Sequence, residues 1–351
     1  MRLILTKNIK EDMELARAIY ENENILLNKG VKDLYKYKDK LLELGIKHLY
    51  VKDKYSYDIE VNETIKSSTR RKGKKIIKKT FDKIKRGFLD LDTKELKDVV
   101  QNITDDLIFN EDVLLNLVSL KSTSDYTYEH SVNVSVICIA LGKMLGYNKD
   151  ELFKLGMGAM LHDIGKTLIP EEIINKPGSL TEYEYEIIKN HPQLGFNYLQ
   201  KINSISSLSR IIVYSHHERI DGSGYPRGLK GSRIHEFARL AAIADVFDAL
   251  TSDRVYRDKW PTYKAAEYIT ASSEKLFDYH LVKKILPKVS FYPNGTEVIL
   301  SIGYRGIVKK QNIGFPTRPV IKLIEDDDGE EINSTLDLLK YLNITITKVI
   351  T

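Results

Sequence analysis

A single cysteine, Cys138, stands in 351 residues. No internal disulfide framework is therefore available, and a reducing, cytoplasmic setting is expected. Long apolar runs are missing as well. The stretch 132–145 is cut by Asn133, Ser135 and Lys143, so nothing approaches the roughly 18 uninterrupted residues of a membrane span. The first ten residues carry basic side chains but no long apolar region leading to a small-residue cleavage site, which argues against a secretory signal. Nor does one sign of charge dominate: 54 Lys and Arg face 49 Asp and Glu, a net charge of +5. With 9 prolines and 20 glycines, fibrous and disordered classes are excluded. What is present, 42% hydrophobic and 29% charged residues, belongs to a folded globular chain. At roughly 100–200 residues per domain, the length accommodates one large core with one or two small satellites.

The basic excess is concentrated. Ten basic residues stand between Arg70 and Arg86 against one acid, Asp82. Ile77, Phe81, Ile84 and Phe88 recur among them at helical spacing, which predicts a cationic amphipathic helix. Its stripe suits packing on a neighbouring domain or subunit, and a homodimer through this helix is one expected assembly. Ahead of it, a strand over 25–27, a turn at 28–30, a helix over 31–44 ended by Gly45 and a strand over 46–51 predict a small α/β module. After residue 290, strands over 298–302, 306–309, 320–324 and 344–349, with a turn at Asp328-Gly329, predict a β-rich tail. The middle reads as helical, with a capping box at Thr181 and Glu184. One part of it is ambiguous: Val132, Val134 and Val136 alternate as in a strand, while Ile139, Gly142 and Gly146 suit a helix ending at Gly146. The resulting division is 1–62 accessory or sensory module, 63–95 basic linker helix, 96–290 catalytic domain and 291–351 tail.

Five of the eight histidines gather in the central region beside acids or each other: His130, His162 with Asp163, His191, and the pair His216-His217. Asp245 lies among small and apolar residues, where an unpaired carboxylate would be costly and a cation is the simplest compensation. Any one of these histidines is explained by a hydrogen bond in a core. The cluster is not. Several imidazoles with two or more carboxylates match the preferences of Fe, Mn or Zn rather than Mg or Ca.

Four motifs carry a resemblance: His162-Asp-Ile-Gly-Lys166, His191-Pro192, His216-His-Glu-Arg-Ile-Asp221-Gly-Ser-Gly-Tyr-Pro226, and Ala244-Asp-Val-Phe-Asp-Ala-Leu-Thr-Ser-Asp-Arg254-Val-Tyr-Arg257. In this ordered series the chain resembles the HD-GYP family of cyclic-di-GMP phosphodiesterases, within the HD-domain metal-dependent phosphohydrolases, from about residue 119 to 286. The resemblance implies a mainly α protein, an all-helical bundle with metals at its centre, and makes the 132 segment helical. It places metal ligands on His130, His162, Asp163, His191, His216, His217 and Asp245. A third metal, where the family has it, uses a glutamate four residues before the first histidine. Tyr126 stands there, so two transition-metal ions, Fe or Mn, are expected.

Asp163, with two oxygens to share, is the expected bridge between the metals. Lys166 is expected to meet a phosphate oxygen, and the resemblance gives Arg254 and Arg257 to the dinucleotide, whose phosphate or guanine edge an arginine fork can clasp. The implied reaction is attack of metal-bound hydroxide on cyclic-di-GMP, giving pGpG and in some cases GMP. The segment 221–226 is expected to be a tight turn, and in the family it also suggests contact with a diguanylate cyclase domain. No nucleic-acid polymer is expected as a partner. The competing readings are an HD phosphohydrolase for another nucleotide or cyclic dinucleotide, and a catalytically silent receptor for the dinucleotide or a cyclase.

Overall fold

The computed structural model describes residues 1–21, 24–88, 93–109, 126–252 and 259–350. A helical bundle forms the bulk of the molecule, flanked by a small N-terminal α/β module and a C-terminal five-stranded sheet, the class implied above. The bundle is built from α2 (Ser67–Lys85), α3 (Lys94–Phe109), α4 (Tyr126–Leu145), α5 (Lys149–Met160), α8 (His191–Gln200), α9 (Ser207–Ser215) and α10 (Glu236–Thr251), with shorter α6 (Glu171–Ile174), α7 (Glu182–Ile188), α11 (Thr262–Ala271) and α12 (Tyr279–Ile285) around them. Among the described residues no helix is long and apolar enough to cross a membrane.

The period-two alternation at Val132, Val134 and Val136 has a simple resolution. Helix α4 is buried on every side, so its polar members Ser131, Asn133 and Ser135 are as buried as its valines and no stripe of period 3.6 survives. It ends where Gly146 takes a left-handed φ of 88°. The capping box of α7 is present in both directions: Thr181 Oγ1 accepts from the Glu184 N–H at 3.2 Å, and Glu184 accepts from the Thr181 N–H at 2.7 Å.

Helix α2 turns its stripe inward. Ile76, Ile77, Phe81 and Ile84 lie in the same core as α3 and α4, so these residues are not offered to a second subunit, and Phe88, expected to extend the stripe, is 57% exposed. Its Arg70 points inward too, donating to Asn133 of α4.

In the N-terminal module β1 (Arg2–Leu5), β5 (His48–Lys52) and β2 (Glu14–Leu15) form an antiparallel sheet, and β3 (Ile19–Glu21) pairs with β4 (Asn24–Leu27). The helix expected over 31–44 is shorter: Asp33 sits in the left-handed region, the next turn is 3-10, and α1 covers only Lys38–Glu43. The C-terminal sheet runs β10 (Ile346–Val349), β6 (Glu297–Leu300), β7 (Arg305–Lys310), β8 (Val320–Glu325), β9 (Glu331–Asp337). Strand β9 had no counterpart in the sequence reading, because an edge strand with a mostly exposed, polar pattern lacks the apolar alternation that marks a strand. The two chain ends pack on each other through Leu3, Tyr50, Ile59, Val61, Ile307 and Ile324. Buried Arg2 pairs there with Asp53 and Glu297, each at 2.6 Å.

Candidate metal centre

The histidines reach one place from four helix ends or faces. His130 is in the first turns of α4, and Asp245 lies mid-way along α10, which packs against it. His162 and Asp163 follow the end of α5, His191 opens α8, and His216 with His217 closes α9. Two groups of ligand-type atoms result, each within 4.8 Å: Asp163, His191, His216 and His217 in one, His130, His162 and Asp245 in the other.

Asp163 faces both. Its Oδ1 lies 3.4 Å from His191 Nε2 and 3.8 Å from His216 Nε2, while its Oδ2 lies 3.3 Å from His162 Nε2 and 4.0 Å from His130 Nε2. On the second side His130 Nε2 is 3.1 Å from Asp245 Oδ1. Lys166 Nζ donates to Asp163 Oδ2 at 2.7 Å. The lysine sits in a 3-10 turn rather than in an α-helix. Helix α5 stops at Met160, and residues Ile164–Leu168 form a 3-10 turn. Gly165 permits a close approach, since a Cβ on it would stand 1.9 Å from the His191 carbonyl oxygen.

The hydrogen bonds decide which nitrogen each ring presents. His162 Nδ1 donates to the Ala159 carbonyl at 2.7 Å, His191 Nδ1 to that of Ile188 at 2.8 Å, and His216 Nδ1 to that of Val213 at 3.0 Å. A carbonyl can only accept, so each Nδ1 carries a proton, and it is Nε2 that has the lone pair in the neutral ring. Those Nε2 atoms converge: His191 and His216 stand 3.4 Å apart, two acceptors facing each other. Among the described residues His162 Nε2 and Asp163 Oδ1 are buried without a hydrogen-bond partner. Acceptors crowded together in a dry site call for a cation, and a donor set of imidazole and carboxylate fits a transition metal.

Charge is divided unevenly across the site. Burial lowers the pKa of His191 to about 4, with Lys166 adding to the effect, and burial holds His216 and His217 well below the usual histidine value. At His130 burial acts in the same direction but is outweighed by Asp245 and Asp248, which raise its pKa to about 9. Burial would raise the carboxyl groups of Asp163 and Asp245, yet His162 and Lys166 for the first, and His130 for the second, keep both well below the ordinary carboxylate range.

The loop after His217 folds back on it. The Tyr225 N–H donates to the His217 carbonyl at 3.2 Å, and the Tyr225 ring stacks on the His217 ring with centroids 4.6 Å apart. Buried Glu218 closes the loop by accepting the N–H groups of Arg227 and Leu229, both at 2.9 Å. The only sequence signal for Glu218 is its place directly after the histidine pair and before a Gly-rich turn. Asp248, three residues beyond Asp245, was passed over, and it accepts from His130 Nδ1 at 2.7 Å. Arg254 and Arg257 lie outside the described residues, as does the side chain of Tyr126, whose backbone opens α4.

A family profile for the HD domain matches residues 112–281, and one for a KOW domain associated with HD domain matches 297–351. The chain is 39% identical over 235 residues to "Cyclic di-GMP phosphodiesterase PA4108" of Pseudomonas aeruginosa, covering 66% of this chain and 56% of that protein. It is 42% identical over 147 residues to "Cyclic di-GMP phosphodiesterase response regulator RpfG" of Xanthomonas campestris, covering 42% and 39%. Against "3'3'-cGAMP-specific phosphodiesterase 1" of Vibrio cholerae the identity is 44% over 145 residues, covering 41% and 33%. The chain thus spans about half the length of the Pseudomonas relative. Among solved structures, Bd1817, an HDG"Y"P protein from Bdellovibrio bacteriovorus, superposes with a TM-score of 0.52 at 18% identity over 81% of this chain and 97% of that one, a likeness of fold.

Proposed function

We propose that this chain, a member of the HD domain family of the HD-GYP type, is a metal-dependent phosphodiesterase that hydrolyses cyclic-di-GMP. The observation that carries the reading is Asp163, one carboxylate with an oxygen toward each of two groups of ligand-type atoms. In this reading His191, His216 and His217 hold one cation, His130, His162 and Asp245 hold a second, and Asp163 is shared. When bound, such cations supply the positive charge that activates water and offsets the charge of a phosphodiester in displacement. Iron or manganese suits the mixed imidazole and carboxylate donors.

The chain's own residues do the rest. The Nδ1 bonds to Ala159, Ile188 and Val213 hold three rings with Nε2 inward, in the orientation a ligand needs. Lys166 Nζ, which donates to Asp163 Oδ2, is the group that would meet a phosphate oxygen of the substrate and offset charge gained there. Arg254 and Arg257 take the phosphate and guanine edges of the dinucleotide. Tyr126 in place of a glutamate leaves a third cation weakly held, so pGpG accumulates rather than GMP. Buried, unpaired Cys138 is consistent with action in the reducing cytoplasm.

A second substrate has a specific observation in its favour, since a cGAMP-specific relative is 44% identical over the matched segment. Protein loaded with iron or manganese without oxygen, then incubated separately with cyclic-di-GMP and 3'3'-cGAMP, distinguishes the two by product chromatography. Cleavage of cyclic-di-GMP to pGpG, abolished in Asp163→Ala, is expected. Faster cleavage of cGAMP would replace the substrate assignment, and no cleavage of either with metals bound would overturn the enzyme reading in favour of a receptor.

A further inference from the structure

The four rings His130, His162, His191 and His216 are not held alike. Three of them anchor Nδ1 on the carbonyl three residues back in their own chain. His130 instead gives Nδ1 to the Asp248 carboxylate at 2.7 Å, with both side chains about 5% exposed. Asp248 stands three residues after Asp245 on α10, so the two acids project from one face of that helix. One imidazole is therefore clasped between them, Nε2 on Asp245 Oδ1 at 3.1 Å and Nδ1 on Asp248 Oδ2. Asp245 belongs to the ligand-type group and Asp248 does not.

A buried carboxylate acting as acceptor needs positive charge nearby. Arg70 of α2 brings a guanidinium into the same neighbourhood. Its guanidinium donates to Asn133, three residues after His130 on α4, and the acids whose charge it feels most strongly are Glu129 and Asp248. Arg70 lies ahead of the segment matched by the HD domain profile, so this support comes from the helix that joins the N-terminal module to the bundle.

We propose that Asp248 is the positioning residue of His130, holding the ring so that Nε2 faces Asp163 and Asp245, and that the charge of Arg70, anchored on Asn133 from outside the HD segment, supports Asp248 in that role. This rests on the reading of His130 as a metal ligand. With Nδ1–H donated to an ionised carboxylate, the imidazole is both oriented and made more electron-rich at Nε2. Loss of such an outer partner typically weakens metal affinity by about 10- to 100-fold. An amide at 248 would still accept the Nδ1–H without carrying charge, which predicts a graded series.

The test is Mn²⁺ affinity of the 351-residue chain, measured by competition with a chelator, alongside the thermal midpoint of the metal-free form. Asp248→Ala is expected to weaken Mn²⁺ about 10- to 100-fold, Asp248→Asn by less, and Arg70→Met by less than Asp248→Ala, with the metal-free midpoints of Asp248→Asn and wild type close. His130→Ala is the reference. If it loses Mn²⁺ while both Asp248 variants bind as wild type does, the positioning role is overturned. If His130→Ala itself binds Mn²⁺ as tightly as wild type, the ligand assignment beneath the proposal is what fails. Should Asp248→Ala not fold, Asp248→Asn and Arg70→Met still decide: wild-type affinity in both overturns the proposal.

Discussion

The two groups that share Asp163 are opposites in charge. Around His191, His216 and His217 burial disfavours protonation, and Lys166 and the neighbouring rings add to it, so His191 titrates near 4 and the pair is held well below the usual histidine value. Around His130 the same burial is overcome by Asp245 and Asp248, and the ring keeps its proton up to about pH 9. One group is short of negative charge and the other has it in surplus. The lesson is that a cation enters them against different competitors. At the imidazole-rich group the lone pairs are already free at neutral pH, while at the carboxylate-rich group a proton must leave first.

Removing Asp163 breaks the comparison most completely, since it belongs to both sides. Asp163→Ala is expected to abolish turnover and to lower metal content at both groups, read by elemental analysis. Full metal occupancy with normal turnover would show that the two groups do not depend on a common carboxylate.

Next in size is Gly165→Ala, aimed at one group only. Its Cβ would meet the His191 carbonyl oxygen at 1.9 Å and the Gly195 nitrogen at 2.6 Å. Overpacking of this kind costs about 1–3 kcal/mol, and the shift falls on the backbone of His191. A lowered thermal midpoint with metal lost first from the imidazole-rich side is expected; an unchanged midpoint would mean that the 3-10 turn and α8 separate easily.

Lys166→Met sharpens the contrast between holding metal and meeting substrate. The ammonium donates to Asp163 but is not in either ligand-type group. Catalytic efficiency should drop about a hundredfold with metal content retained. Loss of metal in this variant would recast Lys166 as a support for Asp163.

The smallest expected effect is the pH dependence itself. Below about pH 9 the proton on His130 competes with metal, so affinity at the carboxylate-rich group should rise by about tenfold per pH unit between 6 and 8 for one displaced proton. His191, titrating near 4, adds nothing in that range. Calorimetry of Mn²⁺ binding in buffers of different ionisation enthalpy reads the released proton, and a pH-independent affinity would remove the asymmetry.

Much of this centre was legible in the chain because its information is local. A histidine beside an aspartate, a histidine pair before a Gly-rich turn and an aspartate inside an apolar helix are visible as strings, and the capping box at Thr181 is a four-residue pattern. Other parts were not legible for equally definite reasons. Helix α4 is buried all round, which erases the period that identifies a helix. Strand β9 is an exposed edge whose residues are mostly polar. The stripe of α2 was clear, but an amphipathic pattern states only that a face is covered, and it is the bundle's own core that covers it.

By itself, then, the sequence determined the kinds of candidate ligand and their order, since donor chemistry and short-range spacing are properties of the chain, while the helical bundle came with the family resemblance that those motifs carry. Only the tertiary structure decided how Asp163 divides its two oxygens between the groups, that His130 leans on Asp248 while the other three rings lean on backbone carbonyls, and that Arg70 reaches this region from α2. These are contacts between residues up to 118 positions apart. Their geometry follows from how the helices pack, and no local pattern encodes that packing.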